Sequence, residues 1–464
     1  MASAASQHRI LAILILLAHR ACASDQLPEE VRVLGIFPQS GGWPGGVGAI
    51  PAFAMALEEI NANPDLLPNT TLVGVTVDDA CTKSGGITAP LSQCGPLSET
   101  TGCAEKYFDV IVGSGCSSSC QSTARLAEAW KVPQVSWACT SPALSNVIDY
   151  PWFVRAVSSN RIIVDTALSL LRDQGWTHLG SIVESEGLFL STRDYLVSVA
   201  ESYGVTIVAD ESFTVSDTED GTVASIRARL NAIKRTGVRV WATEAYAGNT
   251  RLILKEAAKL GMTDEGWQVI LMGSVEDCLL ANPACPTADG GATRETDEAV
   301  LAAARGALSF LPTKASGPLY DAYETNMVAR PDTGDTPTEL LSWAVYAYEA
   351  TYSVARSLHR FGANPRLNRT GFYDVLKATS FEGPTGWYEY DANGDRAQQY
   401  DIVNFAWASY GEDVAAGALP WKVVARFELL GKDAGITYSD EHAIVYTAGA
   451  SHKPRMHSER WWKT

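Results

Sequence analysis

The sequence reads Ser40-Gly41-Gly42-Trp43-Pro44-Gly45-Gly46 directly behind the apolar run 31–37 and directly before an amphipathic segment from Ile50 to Ile60. This order predicts a strand, a glycine-rich turn and a helix. Glycines let a backbone approach a ligand closely, and the N–H groups at a helix start favour an anion. Trp43 adds a broad apolar face, which is unusual for phosphate binding. Which anion the turn serves depends on the rest of the chain.

Apolar runs alternate with helical patterns along most of the chain. Strands that are apolar on both faces and separated by helices predict parallel sheets covered on both sides, which bind ligands at the carboxyl ends of their strands. The length of 464 residues favours two lobes or more. The predicted strands are 31–37, 72–77, 108–113, 132–138, 178–183, 205–210, 238–243, 268–273 and 307–311.

Two further polar turns follow predicted strands. The first, Gly113–Ser119, is rich in glycine and serine, and the second runs from Ala138 to Pro142. Serines at a helix start cap the helix and also offer hydroxyl groups to an anion. Because the carboxyl ends of parallel strands meet at one edge, these turns and the Trp43 turn are expected to converge on one ligand.

The first 24 residues have the pattern of a secretory signal peptide. Arg9 precedes an apolar run over 10–18, and the small residues Ala21-Cys22-Ala23 follow it. The run is too short to span a bilayer, so a membrane-anchoring helix is the disfavoured alternative. We therefore expect a secreted protein, or one on the extracellular face of the plasma membrane.

Cysteine content and charge agree with export. Eight cysteines follow the signal peptide, and an even number in an oxidising compartment indicates disulfides, although spacing leaves their connectivity open. Cys278–Cys285 is one expected pair. Zinc is disfavoured because no Cys-x-x-Cys is present, and no metal or other cofactor is expected. Two glycosylation sequons begin at Asn69 and Asn368. The formal net charge of −17 argues against nucleic-acid and anionic-lipid partners.

Several motifs together resemble the extracellular domain of class C G-protein-coupled receptors of the GABA-B type. The resemblance spans about residues 30 to 410 and rests on the motifs Ser40–Gly46, Gly115–Ser118, Ser141–Asn146, Trp152–Arg155, Tyr246 and Tyr348–Ala350. It implies an α/β Venus flytrap of the periplasmic-binding-protein type I, in which each lobe is a mostly parallel sheet flanked by helices. The implied division is 28–157 plus 313–380 for lobe 1, 158–312 plus 381–430 for lobe 2, and 431–464 for a C-terminal tail.

The resemblance also implies a ligand site. Trp43 matches the tryptophan that packs on the ligand's carbon chain, Ser117 and Thr140 match hydroxyl groups at its carboxylate, and Tyr246 matches a tyrosine of the second lobe. For Trp43 and Tyr246, core packing is the alternative interpretation. The resemblance further implies a Cys81–Cys116 disulfide, and Cys120 and Cys139 lie on neighbouring turns that would let them pair. Additional site candidates are Ser118, Cys139, Ser274, Glu339 and Trp343.

The chain departs from the GABA-B pattern where the ligand's amino group would bind. Val157 replaces a histidine, Ser274 replaces a tryptophan, and Trp343 replaces an acidic residue. An apolar valine and tryptophan cannot pair with a buried ammonium group, which is costly to leave unpaired. Glu339 precedes Trp343 by one helical turn and is a candidate substitute. GABA itself is therefore disfavoured as the ligand.

The favoured function is a receptor-type binding module for a small amino-acid-like carboxylate that signals by lobe closure. The expected partners are this ligand, a second subunit bound through lobe 1 in a homo- or heterodimer, and a membrane receptor of which the chain is a subunit. A ligand-silent flytrap acting as a dimer partner is the first alternative. A secreted enzyme is the second, although no Gly-x-Ser-x-Gly, His-Glu-x-x-His or dinucleotide fingerprint is present. Acid pairs such as Asp78-Asp79 are interpreted as solvated surface.

Overall fold

The first of the two large sheets is entirely parallel. The computed structural model of the chain describes residues 26–94, 108–273, 298–313, 315–333, 343–405, 422–428, 435–440 and 444–446. Five strands lie in the order β2-β1-β3-β4-β5. Their bounds are β1 Glu30–Ile36, β2 Thr71–Val77, β3 Val110–Gly113, β4 Gln134–Ser136 and β5 Phe153–Arg155. Apolar residues on both faces of β1 and β3 explain why these strands lie inside the sheet, and all three residues of β4 are buried beside them.

The second sheet is mixed and has eight strands in the order β15-β14-β13-β10-β9-β8-β6-β7. Strands β6 to β10 are parallel, while β13, β14 and β15 are antiparallel to their neighbours. The bounds are β6 His178–Glu184, β7 Thr206–Phe213, β8 Val240–Glu244, β9 Gln268–Leu271, β10 Leu308–Pro312, β13 Tyr400–Asn404, β14 Lys422–Glu428 and β15 Gly435–Tyr438. All nine strands expected from the sequence are present, so the predicted α/β fold class is confirmed.

Helices cover both sheets. Their bounds are α1 Gly46–Ala62, α2 Gly85–Cys94, α3 Ser117–Trp130, α4 Arg161–Gln174, α5 Gly187–Val199, α6 Glu219–Arg235, α7 Ala247–Lys259, α8 Glu298–Ala304, α9 Pro318–Val328, α10 Ala344–Phe361 and α11 Arg369–Lys377. Local chemistry sets several of these ends. Thr218 caps α6 by accepting a bond from the Gly221 amide, and α4 ends at Gly175, whose φ of 70° suits glycine. In the described segments, no helix is long and apolar enough to cross a membrane.

The chain returns to the first sheet late in the sequence. Helix α10 packs against α1, and alanines on both helices, including Ala52 on α1 and Ala347 on α10, are fully buried in the same core as β1, β3 and β4. Small side chains let the two helix axes approach closely. The first hydrophobic core is therefore built from segments almost 300 residues apart in sequence, while separate cores cover the second sheet.

A short hairpin differs from the expected lobe division. Strands β11 (Phe381–Gly383) and β12 (Gly386–Tyr388) pack on the first core, where the rings of Phe381 and Tyr388 stack at 4.6 Å. The chain then reaches the second sheet at β13, so the crossing lies near residues 395–400 and not at 381. Strand β15 likewise extends the second sheet past residue 430. Strands of three or four residues are too short to show a period, which explains why the pattern missed them.

Two buried ion pairs fix this crossing to the first lobe. Asp395 accepts a 2.7 Å bond from Arg155 at the end of β5, and the next residue, Arg396, bonds Glu349 of α10. Three of these four side chains are fully inaccessible to solvent and the fourth, Asp395, is nearly so. Partnered charges of this kind are costly to separate in a dry interior. The segment that leads to the second sheet therefore starts from a rigid point.

Candidate ligand-binding site

Three turns meet at the carboxyl edge of the first sheet. Strand β1 pairs with β3 up to Ile36 opposite Gly113, and β3 pairs with β4 through Val112 opposite Val135. Because the three strands are parallel neighbours, the turns that follow them lie side by side. The structure thus brings Trp43, Ser117 and Thr140 to one edge of one sheet, as the sequence predicts for a common ligand.

Trp43 forms the apolar wall of this edge. Its half-buried indole lies 5.6 Å from the Trp137 ring, measured between centroids. Gly45 and Gly115 make room for the two indoles, because a Cβ on Gly45 would lie 2.3 Å from the Trp43 ring and one on Gly115 would lie 2.5 Å from the Trp137 ring. The glycines of the opening motif therefore serve the packing of a tryptophan face.

The segment after β2, residues 78–80, packs against the turn that carries Trp43 and holds it by hydrogen bonds. Gly41 has a φ of 86°, and a Cβ there would lie 2.0 Å from the carbonyl oxygen of Ala80. Asp78 accepts bonds from the Gln39 amide at 2.9 Å and the Ser40 hydroxyl at 2.7 Å. Burial alone would raise the pKa of Asp78, but the bonds from Gln39, Ala80 and Ser40 outweigh it and lower that pKa. The turn is held in place by a charged group.

Ser117 begins α3 and is 5% exposed. Its Oγ accepts a 3.1 Å bond from the Ser141 amide, which joins the second turn to the third and leaves the hydroxyl hydrogen to point elsewhere. The N-cap residue, Cys116, makes no side-chain cap bond. The first N–H groups of a helix have no partner within it, so this start suits a ligand anion. The adjacent candidate Ser118 directs its hydroxyl to the carbonyl of Cys81 at 3.5 Å.

Asp79 organises the serine turn from within, and the interpretation of the Asp78-Asp79 pair as solvated surface is wrong for it. Its carboxylate is fully buried and accepts hydroxyl bonds from Ser114 and Ser119. Burial raises the pKa of Asp79, while the two hydroxyl bonds act in the opposite direction. Ser114 and Ser119, two serines of the Gly113–Ser119 turn, therefore face an internal acid and not a ligand. The position of Asp79 just past a strand end is the one sequence signal for this role.

Disulfides fix the start of α3. Cys116 bonds to Cys81, the pair that the family resemblance implies, and Cys120 bonds to Cys139. The candidate Cys139 is therefore committed to a disulfide and offers no thiol to a ligand. Because residues 116 and 120 lie one helical turn apart, the two bonds together hold the first turn of α3 against both neighbouring turns.

Arg155 positions Thr140. One Nη of this fully buried arginine donates to the carbonyls on either side of Thr140, those of Cys139 at 2.7 Å and Ser141 at 3.0 Å. Thr140 itself is 8% exposed, and its carbonyl accepts a 2.8 Å bond from the Asn160 amide. The arginine of the Trp152–Arg155 motif thus holds the backbone that presents the threonine.

Tyr246 follows β8 at the corresponding edge of the second sheet and precedes α7. Its half-buried ring packs edge-on against Phe189 at 5.0 Å, and its amide donates to Glu184 at 3.2 Å. Burial, and then the nearby Glu186 and Glu184, raise the pKa of Tyr246, so its hydroxyl stays protonated. Tyr246 therefore places an aromatic ring and a protonated hydroxyl group at the carboxyl edge of the second sheet.

Sequence reasoning missed two buried acids beside Tyr246. Glu184 ends β6 and Glu244 ends β8, and they are 6% and 2% exposed. Glu184 also accepts a 2.9 Å bond from Asn249. Burial raises the pKa of both carboxyl groups, that of Glu244 well above its ordinary value. Both are single acids at strand ends, and nothing local in the sequence marks them as buried.

The two described residues that depart from the GABA-B pattern are apolar where the structure places them. Val157 is fully buried. Trp343 meets Trp43 edge-on with 6.0 Å between ring centroids, and it also packs on Tyr346 at 5.9 Å. Position 343 thus presents an indole ring to Trp43 where the GABA-B pattern has an acid.

Several expected features lie outside the described residues. They are the signal peptide, Ser274, Glu339 and the Cys278–Cys285 pair. Both sequon asparagines are described and exposed, and Asn368 caps α11 by accepting a 2.9 Å bond from the Gly371 amide. Among the described side chains, no group of three or more His, Cys, Asp or Glu is arranged to hold a metal ion.

The sequence of the chain is similar to the ligand-binding regions of receptors. A family model described as "Receptor family ligand binding region" matches residues 49–408. Gamma-aminobutyric acid type B receptor subunit 1 of Mus musculus is 25% identical over 415 residues, which is 84% of this chain and 41% of the relative. Metabotropic glutamate receptor 8 of Homo sapiens is 22% identical over 424 residues, 78% of this chain and 45% of the relative. The chain thus spans less than half the length of either relative.

Proposed function

Since this chain belongs to the receptor family ligand binding region, we propose that it is the extracellular ligand-binding part of a receptor and that its cleft binds a small amino-acid-like carboxylate. The relatives named above are a receptor for gamma-aminobutyric acid and a glutamate receptor, and both of these ligands carry a carboxylate. The lobe boundaries expected from the sequence are part of this proposal, with the third crossing moved to residues 395–400.

One observation carries the proposal. Ser117 begins α3 at an uncapped helix start, and its Oγ is held by the Ser141 amide next to Thr140. A carboxylate at this point would receive backbone N–H groups and two hydroxyl groups. Trp43, one strand away, offers a broad face for the ligand's carbon atoms. In the proposed site, Ser117 and Thr140 bind the anion and Trp43 binds the apolar part.

Signalling would follow from closure of the second sheet onto the first. Tyr246 and its neighbours form the opposite wall and would contact the ligand only when the lobes approach. A ligand that touches both walls binds the closed form better than the open one, and this difference in affinity shifts the equilibrium. A shift from mostly open to mostly closed needs about 5 kcal/mol of differential binding.

The test is a thermal-shift screen of the exported chain against amino acids and other small carboxylates. A binding ligand should raise the melting temperature in proportion to its concentration over its Kd. The double variant Ser117→Ala/Thr140→Ala should weaken binding about 100-fold or more, because it removes two hydrogen bonds to a charged group. Ser202→Ala, an exposed serine of the second lobe, is the matched control and should bind normally. Unchanged binding by the double variant excludes this site.

A ligand-silent flytrap that serves as a dimer partner is the second candidate. The observation that favours it is the contact of Trp343 with Trp43, which covers part of the apolar face intended for a ligand. Under this proposal no carboxylate stabilises the chain, and sedimentation analysis finds a dimer. If a carboxylate stabilises the wild-type chain and this stabilisation is lost when Ser117 is replaced, the first candidate, a carboxylate-binding domain, is correct.

A further inference from the structure

A surface pocket lies at the amino edge of the first sheet, on the far side from the candidate ligand site. Its volume is about 370 Å³, in the lower part of the range of small-molecule sites. Helix α1 starts beside the Trp43 turn and ends at this pocket, so its 17 residues separate the two places by about 25 Å. The link from α1 to β2 lines one side. Two arginines and a histidine from the last two turns of α10 line the other, namely Arg356, His359 and Arg360.

The two arginines of this pocket have no countercharge. Eleven described arginines lie within ion-pair distance of a carboxylate, but Arg356 and Arg360 are not among them. Arg356 is exposed, lies over the Phe381 ring at 4.8 Å, and makes no hydrogen bond in the described part of the chain. Arg360 donates from one Nη to the Ala378 carbonyl at 2.8 Å. Most donors of both guanidinium groups therefore remain available to a ligand.

The rest of the lining adds polar groups and a single acid. His359 Nδ1 bonds the Leu66 carbonyl, so Nδ1 carries the hydrogen and Nε2 is left for a ligand. The exposed hydroxyl of Ser380 lines the same pocket. Asp65 is the one carboxylate of the lining, and it forms no ion pair with the arginines in the described chain. The lining thus holds two permanent positive charges against one negative charge.

We propose that this pocket binds an oxyanion of the sulfate or phosphate type through Arg356 and Arg360. Guanidinium groups match the oxygen atoms of such anions and bind them by paired, charge-assisted hydrogen bonds. A free ion and an organic ester present the same oxygen atoms to the arginines. The pocket has room for more than an ion, and Tyr352 in its lining offers a surface to the body of an ester. The inference goes beyond the proposed function and does not depend on it.

Cations at the end of a helix also stabilise the helix itself without binding any ligand. Arg235 gives a direct comparison, since it is an exposed arginine in the last turn of α6 that pairs with no acid in the described chain and is not part of this pocket. The formal net charge of −17 works against any general attraction of anions. Binding at the pocket therefore depends on local contacts, which substitution of single residues can test.

The test is calorimetric titration of the chain with inorganic sulfate, inorganic phosphate, glucose 6-sulfate and glucose 6-phosphate, in a chloride buffer of constant ionic strength. We expect saturable binding of at least one probe. Arg356→Gln should weaken it about 10-fold or more, because charge-assisted hydrogen bonds are lost. Arg235→Gln is the matched control, with an expected change below about twofold. Tighter binding of an ester than of its free ion assigns the site to the ester, and the reverse order assigns it to the ion.

Two results would overturn the inference. One is the absence of saturable binding by all four probes, and the other is an equal loss in Arg356→Gln and Arg235→Gln, which would indicate a general effect of charge. Should Arg356→Gln not fold, Asp65→Asn removes only the acid of the pocket and should tighten oxyanion binding about twofold or more, and unchanged affinity would contradict the site. The Ser117→Ala/Thr140→Ala protein should bind the oxyanion as the wild type does, so failure of the cleft and failure of this pocket are distinguishable.

Discussion

At the scale of single residues, the protonation of Glu244 gives a prediction for the ligand-free protein. Burial raises the pKa of this carboxyl group well above that of an exposed glutamate. The folded protein therefore holds the proton more tightly than the unfolded chain, and the stability that this contributes is complete below the unfolded pKa and lost as pH rises through the folded pKa. Glutamine does not titrate and keeps the shape.

We accordingly expect the melting temperature of Glu244→Gln to rise relative to wild type as the pH is raised from about 4 to about 8. Differential scanning calorimetry of both proteins without ligand measures the difference. A constant difference over this range, or one that falls as pH rises, contradicts a buried, proton-retaining Glu244.

Neighbouring residues show what the sequence could and could not predict at this scale. The position of Trp43, Ser117 and Thr140 at one edge of the first sheet could be predicted, because each lies in a turn that follows a recognisable strand. Asp78 and Asp79 look alike in the sequence, yet one is exposed and the other is enclosed by Ser114 and Ser119. Whether a carboxylate is buried depends on which distant segments pack around it, and the local sequence does not determine that packing.

At the scale of elements, the link between β5 and the crossing segment gives a second prediction. Arg155 bonds Asp395, and both are almost fully buried. Arg155→Ala would leave Asp395 without its countercharge, which typically costs about 3 to 5 kcal/mol of unfolding free energy. Arg125→Ala is the matched control, since its pair with Asp149 is half-exposed, and pairs of that kind contribute about 0 to 1 kcal/mol.

Urea denaturation of both variants measures these free energies. Similar small losses for Arg155→Ala and Arg125→Ala would show that the crossing segment is not anchored by this pair. If Arg155→Ala remains folded, its carboxylate affinity should also fall, because the carbonyls beside Thr140 lose their donor.

Element assignment from sequence succeeded for nine strands, and it missed β5, β13, β14 and β15 as well as the hairpin discussed below. Strands such as β1 and β8 lie within a few residues of their expected bounds. Helix α10 was also expected to return to the first lobe, and it packs on α1. The hairpin of β11 and β12 was missed because each strand has three residues. A pattern that short carries no period, so only the tertiary contact of Phe381 and Tyr388 with the first core defines it.

At the scale of the whole molecule, the proposed closure predicts a change of shape. A ligand that bridges the Ser117 edge and the Tyr246 edge should reduce the radius of gyration in small-angle X-ray scattering at saturating concentration. The Ser117→Ala/Thr140→Ala protein should show no reduction at the same ligand concentration. An unchanged radius in the wild type, under conditions where calorimetry shows full binding, would mean that the ligand binds without lobe closure.

The two disulfides at the start of α3 have a consequence for how such a cleft diversifies. They join the first turn of the helix to both flanking loops through Cys81–Cys116 and Cys120–Cys139, so the proposed anion-binding wall is fixed covalently as well as by packing. Among the described residues, the proposed opposite wall around Glu244 and Tyr246 is held by non-covalent contacts. Under the proposed function, substitutions on that wall can therefore change which ligand binds while the contacts to its carboxylate are kept, so the second lobe is the half of the cleft in which a new specificity can evolve.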